Sequence, residues 1–110
     1  MARDPLDLLY GSLDMLVLRT LAWGPMHGYA ISDWIRERTE GVLTIVDAAL
    51  YKSLHRLERE RLVEGEWGTT EANRRAKFYR LTPAGRRALH EETSAWERYA
   101  AAVHRVLAPA

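Results

Sequence analysis

A mainly helical domain carrying one small β-hairpin is predicted by three features of this 110-residue sequence. Residues 13–61 hold three stretches whose apolar side chains recur at helical spacing. Residues 62–82 hold two runs rich in Val, Trp, Phe and Tyr around a polar turn, and Thr82-Pro83 opens a last helix far longer than the others. The length suits one domain of roughly 100–150 residues with a single core.

The first helix, Leu13 to Trp23, is apolar nearly all round, so it is expected to be buried on most sides. Ser12 stands where it can cap that helix, and Gly24-Pro25 stops it. After the turn Gly24-Pro25-Met26-His27-Gly28, a second helix runs to about Arg38, with Ile31, Trp34 and Ile35 on one flank. Asp47 is the predicted N-cap of a third helix ending near Arg61. At about 100° per residue its Leu50, Leu54 and Leu57 form a buried stripe, while Ala48, Lys52, His55 and Arg59 gather opposite. The predicted strands, Leu62 to Gly68 and Ala76 to Thr82, flank the polar stretch 69–75 and make a hairpin with a basic tip. Thr82 with proline at the first helical position starts the last helix, which can run to about Leu107.

Composition narrows the chemistry. The chain has no cysteine, which removes disulfides, thiolate zinc sites, iron–sulfur clusters and cysteine nucleophiles. His27, His55, His90 and His104 are scattered without metal-ligand spacing, and no nucleophile–base pair is legible, so no enzyme, metal or cofactor is expected. The turn 24–28 lacks the Gly-Lys-Ser/Thr ending of a triphosphate-gripping loop. No apolar run approaches the roughly 18 residues of a membrane span, and the N-terminus lacks a basic segment followed by a long apolar one, so a cytoplasmic protein is expected. The net charge is only +1, but residues 73–80 hold Arg74, Arg75, Lys77 and Arg80 with no acid among them.

Three helices, a hairpin and a long helix, in that order, match a winged helix-turn-helix. In such a module the third helix enters the DNA major groove and the second crosses the backbone. Groove entry needs a helix start free of bulky apolar groups, a demand that Ala48, Ala49 and Lys52 meet. Four segments carry a closer likeness: Leu9-Tyr-Gly-Ser-Leu-Asp, Gly24-Pro-Met-His-Gly-Tyr-Ala-Ile, Leu50-Tyr-Lys-Ser-Leu-His-Arg-Leu-Glu and Asn73-Arg-Arg-Ala-Lys-Phe-Tyr-Arg-Leu-Thr-Pro-Ala-Gly. Together, over about residues 8–90, they resemble the PadR family of bacterial transcriptional regulators. The resemblance implies a dimeric winged-helix repressor, released in some members by phenolic or other small aromatic molecules. The single helix after the hairpin is similar to that of the short-tailed subgroup, whose members pair through it. The family usually has Gly-Ser before the Leu-Tyr pair and Pro after it, where this chain has Ala48-Ala49 and Lys52. Losing the proline restores a backbone N–H and adds a cation within the helix, which points to altered base or phosphate contacts.

The expected DNA-contacting residues are Tyr29, Ala48, Ala49, Tyr51, Lys52, His55, Arg56, Arg74, Arg75 and Lys77. For some a structural role is an open alternative: Arg56 and Arg59 can pair with Glu60 or Glu58, and Tyr29 can be half-buried. On the last helix Leu89, Trp96, Ala100, Val103 and Leu107 fall on one line with Tyr99 at its edge. A stripe that outruns its own domain is expected to meet its copy in a homodimer placed on an inverted-repeat operator. The resemblance makes Trp96 a platform for a small aromatic effector, and a plain dimer-core tryptophan is the alternative; Trp23 and Trp67 are expected in core or subdomain contacts. The chain thus divides into a DNA-reading unit, residues 1–82, and a dimerisation helix, residues 83–110. A winged-helix protein-docking module without DNA binding is the rival reading, which the near-neutral charge would suit.

Overall fold

The computed structural model describes residues 12–109. Residues 9–11 of the first family-like segment, and with them the start of the 1–82 unit, lie outside the described residues, as does Ala110. The elements are α1 (Leu13–Leu21), β1 (Met26–His27), α2 (Gly28–Arg38), α3 (Asp47–Arg59), β2 (Val63–Thr69), β3 (Arg75–Leu81) and α4 (Pro83–Leu107).

Helix α1 is central, packing against α2, α3, α4 and β3, which explains its apolar residues on nearly every side. Leu13, Val17, Leu18 and Leu21 join Ile31 and Ile35 of α2 and the Leu50, Leu54 and Leu57 stripe of α3 in one core, closed by Val63 and Tyr79 of the sheet. The Thr20 hydroxyl is fully buried there and donates to the Leu16 carbonyl at 2.8 Å, so burial leaves it satisfied.

Helices α2 and α3 end in the same way. The amides of Gly41 and Leu62 reach back to the carbonyls of Arg36 and Leu57, while Glu40 (φ 52°) and Arg61 (φ 60°) take the left-handed position between. Arg61 therefore lies past the end of α3, which stops at Arg59. Two expected caps differ as well. Val46 occupies the N-cap of α3 and Asp47 its first turn, because Ile45 is buried and turns the chain into the helix one residue early. Ser12 stands at the N-cap of α1, but its backbone (φ −132°, ψ −1°) is not the extended form that aims a capping side chain, and it makes no capping bond.

The expected two-stranded hairpin is a three-stranded sheet of order β1-β3-β2. Met26 and His27 pair antiparallel with Tyr79 and Phe78; two residues are too few for alternation to be read from sequence. In the β2–β3 register Val63 faces Leu81, Gly65 faces Tyr79, Trp67 faces Lys77 and Thr69 faces Arg75, all on one side of the ribbon. That side begins in the core and continues into solvent toward the tip. Trp67 lies on the outer part and is 59 % exposed, outside the core, one of the two places expected for it. Trp23 is also outside, 62 % exposed, because α1 ends at Leu21 in tightened turns that send the chain to the surface.

Thr82 caps α4 as expected, its hydroxyl accepting from the Gly85 amide at 3.0 Å and donating to the Arg61 carbonyl at 2.8 Å. Ala88 and Leu89, both partly buried, still pack on the core, so Leu89, expected at a dimer interface, gives part of its surface to its own domain. Beyond it the 25-residue helix, about 37 Å long, stands clear and accounts for much of the 55 Å long axis. No helix among the described residues is long and apolar enough to cross a membrane.

Candidate nucleic-acid interface

Burying Leu50, Leu54 and Leu57 of α3 forces Ala48, Tyr51, Lys52 and His55 outward, and all four are exposed; Ala49 is half-buried against the core. A polar network fixes the helix from behind. Ser53, fully buried, donates to Asp14 of α1 at 2.6 Å, and the Arg56 guanidinium grips the same carboxylate with Nε at 2.8 Å and Nη2 at 2.5 Å. Arg56, an expected DNA contact, is thus paired with α1, its side chain 43 % exposed, and helps to set the placement of α3 on α1. Sequence reasoning missed Asp14 and Ser53 because the partners are about forty residues apart; the one available signal was a lone acid in a mostly apolar helix.

Burial alone would raise the Asp14 carboxyl, but the hydrogen bonds from Arg56 and Ser53 and the Arg56 charge outweigh it and hold the group below its ordinary value. A depressed folded-state value means stability that is present above the unfolded-state value and is lost as pH falls through the folded one. Asp14→Asn is therefore expected to cost about 1–2 kcal/mol at neutral pH, discounted for partial exposure, and to flatten the loss of stability in acid. Urea unfolding at neutral and acidic pH checks this; an unchanged acid profile would show that the network contributes nothing.

The wing, β2 to β3, is tied to α3 by Lys77, which donates to Glu58 at 2.9 Å; the Glu58 carboxylate holds the ammonium above its usual range. Gly65 makes room for this bridge, since a Cβ there would come within 2.2 Å of the Lys77 side chain. Lys77, like Arg56, is spent on holding the parts together. The tip is a tight loop in which the Thr70 amide donates to the Arg74 carbonyl at 2.8 Å, the Asn73 amide to Thr70 at 2.9 Å, and Asn73 takes φ 60°. Arg74 and Arg75 emerge exposed from this loop.

At the third edge, His27 caps α2, its Nδ1 accepting from the Ala30 amide at 3.3 Å while its ring meets the Phe78 ring edge-on at 5.3 Å. The cap sets the start of α2 beside the wing. Tyr29 projects from it, 73 % exposed, which answers the question of its burial. A Cβ on Gly28 would come within 3.0 Å of the Tyr51 hydroxyl, so α2 and α3 meet closely at this end. Neither His27 nor Phe78 was singled out from sequence, since β1 was not legible.

These three edges enclose an open groove of about 1100 Å³, onto which Tyr29, Tyr51, His55, Arg74, Arg75 and Lys77 converge. Lys52 lies one residue from Tyr51 on the same exposed face of α3. Trp96 is elsewhere, on the outer part of α4, 47 % exposed and 5.9 Å from the Tyr99 ring. Among the described residues no cluster of His, Asp or Glu suits a metal ion. The arrangement offers hydroxyls, imidazole and uncommitted cations to an extended polyanion.

Residues 17–91 match the model of the transcriptional regulator PadR-like family. Among solved structures, the chain is similar to a PadR family transcriptional regulator from Eggerthella lenta (31 % identity, TM-score 0.80, covering 96 % of this chain and 89 % of that one). It is also similar to a transcriptional regulator from Clostridium thermocellum (29 % identity, TM-score 0.82, covering 90 % and 96 %). It shares its fold with Bacillus subtilis PadR in complex with operator DNA, at 24 % identity and a TM-score of 0.64 over 72 % of this chain and 45 % of that one.

Proposed function

Because the chain belongs to the PadR-like family of transcriptional regulators, we propose that it is a dimeric, sequence-specific repressor that binds double-stranded DNA in the cytoplasm through the groove face. The observation that carries this reading is the convergence of the exposed face of α3, the start of α2 and the wing tip around one open cationic groove. The operator complex of the Bacillus subtilis fold relative supports it. In this reading α3 enters the major groove with Ala48, Ala49, Tyr51, Lys52 and His55, and Tyr29 gives its hydroxyl to a phosphate. Arg74 and Arg75 reach the flanking backbone or minor groove, while Arg56 and Lys77 hold α3 and the wing in register.

Residues 1–82 then form the reading unit, and 83–110 the pairing helix, whose first turns complete the core. Trp96, Tyr99, Ala100, Val103 and Leu107 lie on the part of α4 beyond that core, where a second copy satisfies their apolar surface. A small aromatic effector stacking on Trp96 would change the angle between paired helices and so the spacing of the two heads, with a coupling of about 1–3 kcal/mol. Occupying a promoter represses without contact to polymerase.

Selection of duplexes from a random-sequence pool tests the function. The expected outcome is an inverted repeat whose half-sites are about one DNA turn apart, roughly 34–36 Å. A pool that enriches no sequence contradicts it.

A further inference from the structure

The cations of the wing are not equivalent. Arg80, on the side of the ribbon away from the groove face, is neutralised by Glu64 at 3.0 Å, and Lys77 by Glu58 at 2.9 Å. The Arg74 side chain makes no hydrogen bond, ion pair or ring contact among the described residues. Arg75 rests on a ring without a carboxylate: its guanidinium carbon lies 4.8 Å from the centre of the Trp67 ring, and no carboxylate among the described residues pairs with it, whereas Lys77, 5.4 Å from the Tyr79 ring, also carries the Glu58 pair. Trp67 and Arg75 are diagonal neighbours on the same side of the β2–β3 ribbon, which brings a long side chain across an aromatic face.

That difference has a chemical consequence. A carboxylate partner consumes the guanidinium's hydrogen bonds and cancels its charge. An aromatic face attracts the cation through its quadrupole and leaves the five N–H donors unspent. An exposed arginine otherwise loses rotamer freedom on meeting DNA, and a side chain already resting on a ring has less to lose. The indole lies beyond the core, 59 % exposed, and lines the groove.

We propose that Trp67 is a positioning residue for DNA binding: it holds Arg75 aimed across the groove with charge and donors intact, making Arg75 a stronger contact than the unsupported Arg74. This rests on the DNA-binding reading above. The test uses a duplex enriched by the wild-type chain and compares Trp67→Ala, Trp67→Leu, Trp67→Phe, Arg75→Ala and the Trp67→Ala/Arg75→Ala double variant. Trp67→Ala is expected to weaken binding roughly tenfold, about as much as Arg75→Ala. Trp67→Leu loses as much, since it keeps apolar bulk without an aromatic face, whereas Trp67→Phe retains most of the affinity. The double variant binds no more weakly than Arg75→Ala, and the thermal midpoint of Trp67→Ala stays in place. Wild-type affinity in Trp67→Ala, or losses that multiply in the double variant, overturn the proposal while leaving the DNA-binding reading intact. Failure of the wild-type chain to enrich any duplex sinks both.

Discussion

Reversing Arg74 and Arg75 together to glutamate is expected to lower duplex affinity by about 100-fold or more and leave the fold and the oligomeric state unchanged. Each arginine contact removed costs about 1–3 kcal/mol, and each reversed charge adds repulsion from the phosphates. The effect falls on the wing alone because Lys77 and Arg80 are already matched by Glu58 and Glu64, so they cannot take over. The tip tolerates the change, since its loop is closed by backbone bonds and the Thr70 hydroxyl rather than by the arginine side chains. Fluorescence anisotropy of a labelled duplex measures the loss, and sedimentation of the free variant measures oligomeric state. Affinity within twofold of wild type would remove the wing from the interface.

The second large effect belongs to α4. Trp96→Glu with Val103→Glu places two charges seven residues apart on one seam, and is expected to convert a dimer into a folded monomer. The core is untouched, since it ends near Leu89. Monomers engage one half-site at a time, so affinity for the inverted repeat falls by roughly 10²–10⁴, the advantage that linking two heads confers. Retention of a dimer in sedimentation would place the pairing surface elsewhere.

Local rules made much of the fold legible. The Leu50, Leu54 and Leu57 stripe assigned α3 its inner and outer faces, and Thr82-Pro83 fixed the start of α4, because both signals lie within a few residues of each other. What escaped depends on tertiary approach. Asp14 reaches Ser53 and Arg56 only once α1 lies across α3; β1 exists only because the edge of β3 accepts it; and Trp67 passes the end of the core along its strand. Such outcomes follow from where elements stop, which residue type alone does not encode. The candidate site was read in much the same proportion. Tyr29, Tyr51, His55, Arg74, Arg75 and Lys77 line the groove, whereas Arg56, also expected as a DNA contact, does not, and both Arg56 and Lys77 are paired with carboxylates supplied by other elements.

The most direct measurement for the account as a whole is the dependence of duplex affinity on salt. If α3 and the wing neutralise several phosphates, log affinity falls linearly with log salt by about 0.9 per phosphate, and the line flattens when Arg74 and Arg75 are reversed. A wild-type affinity indifferent to salt would contradict the account and mark the groove as a surface for docking another protein.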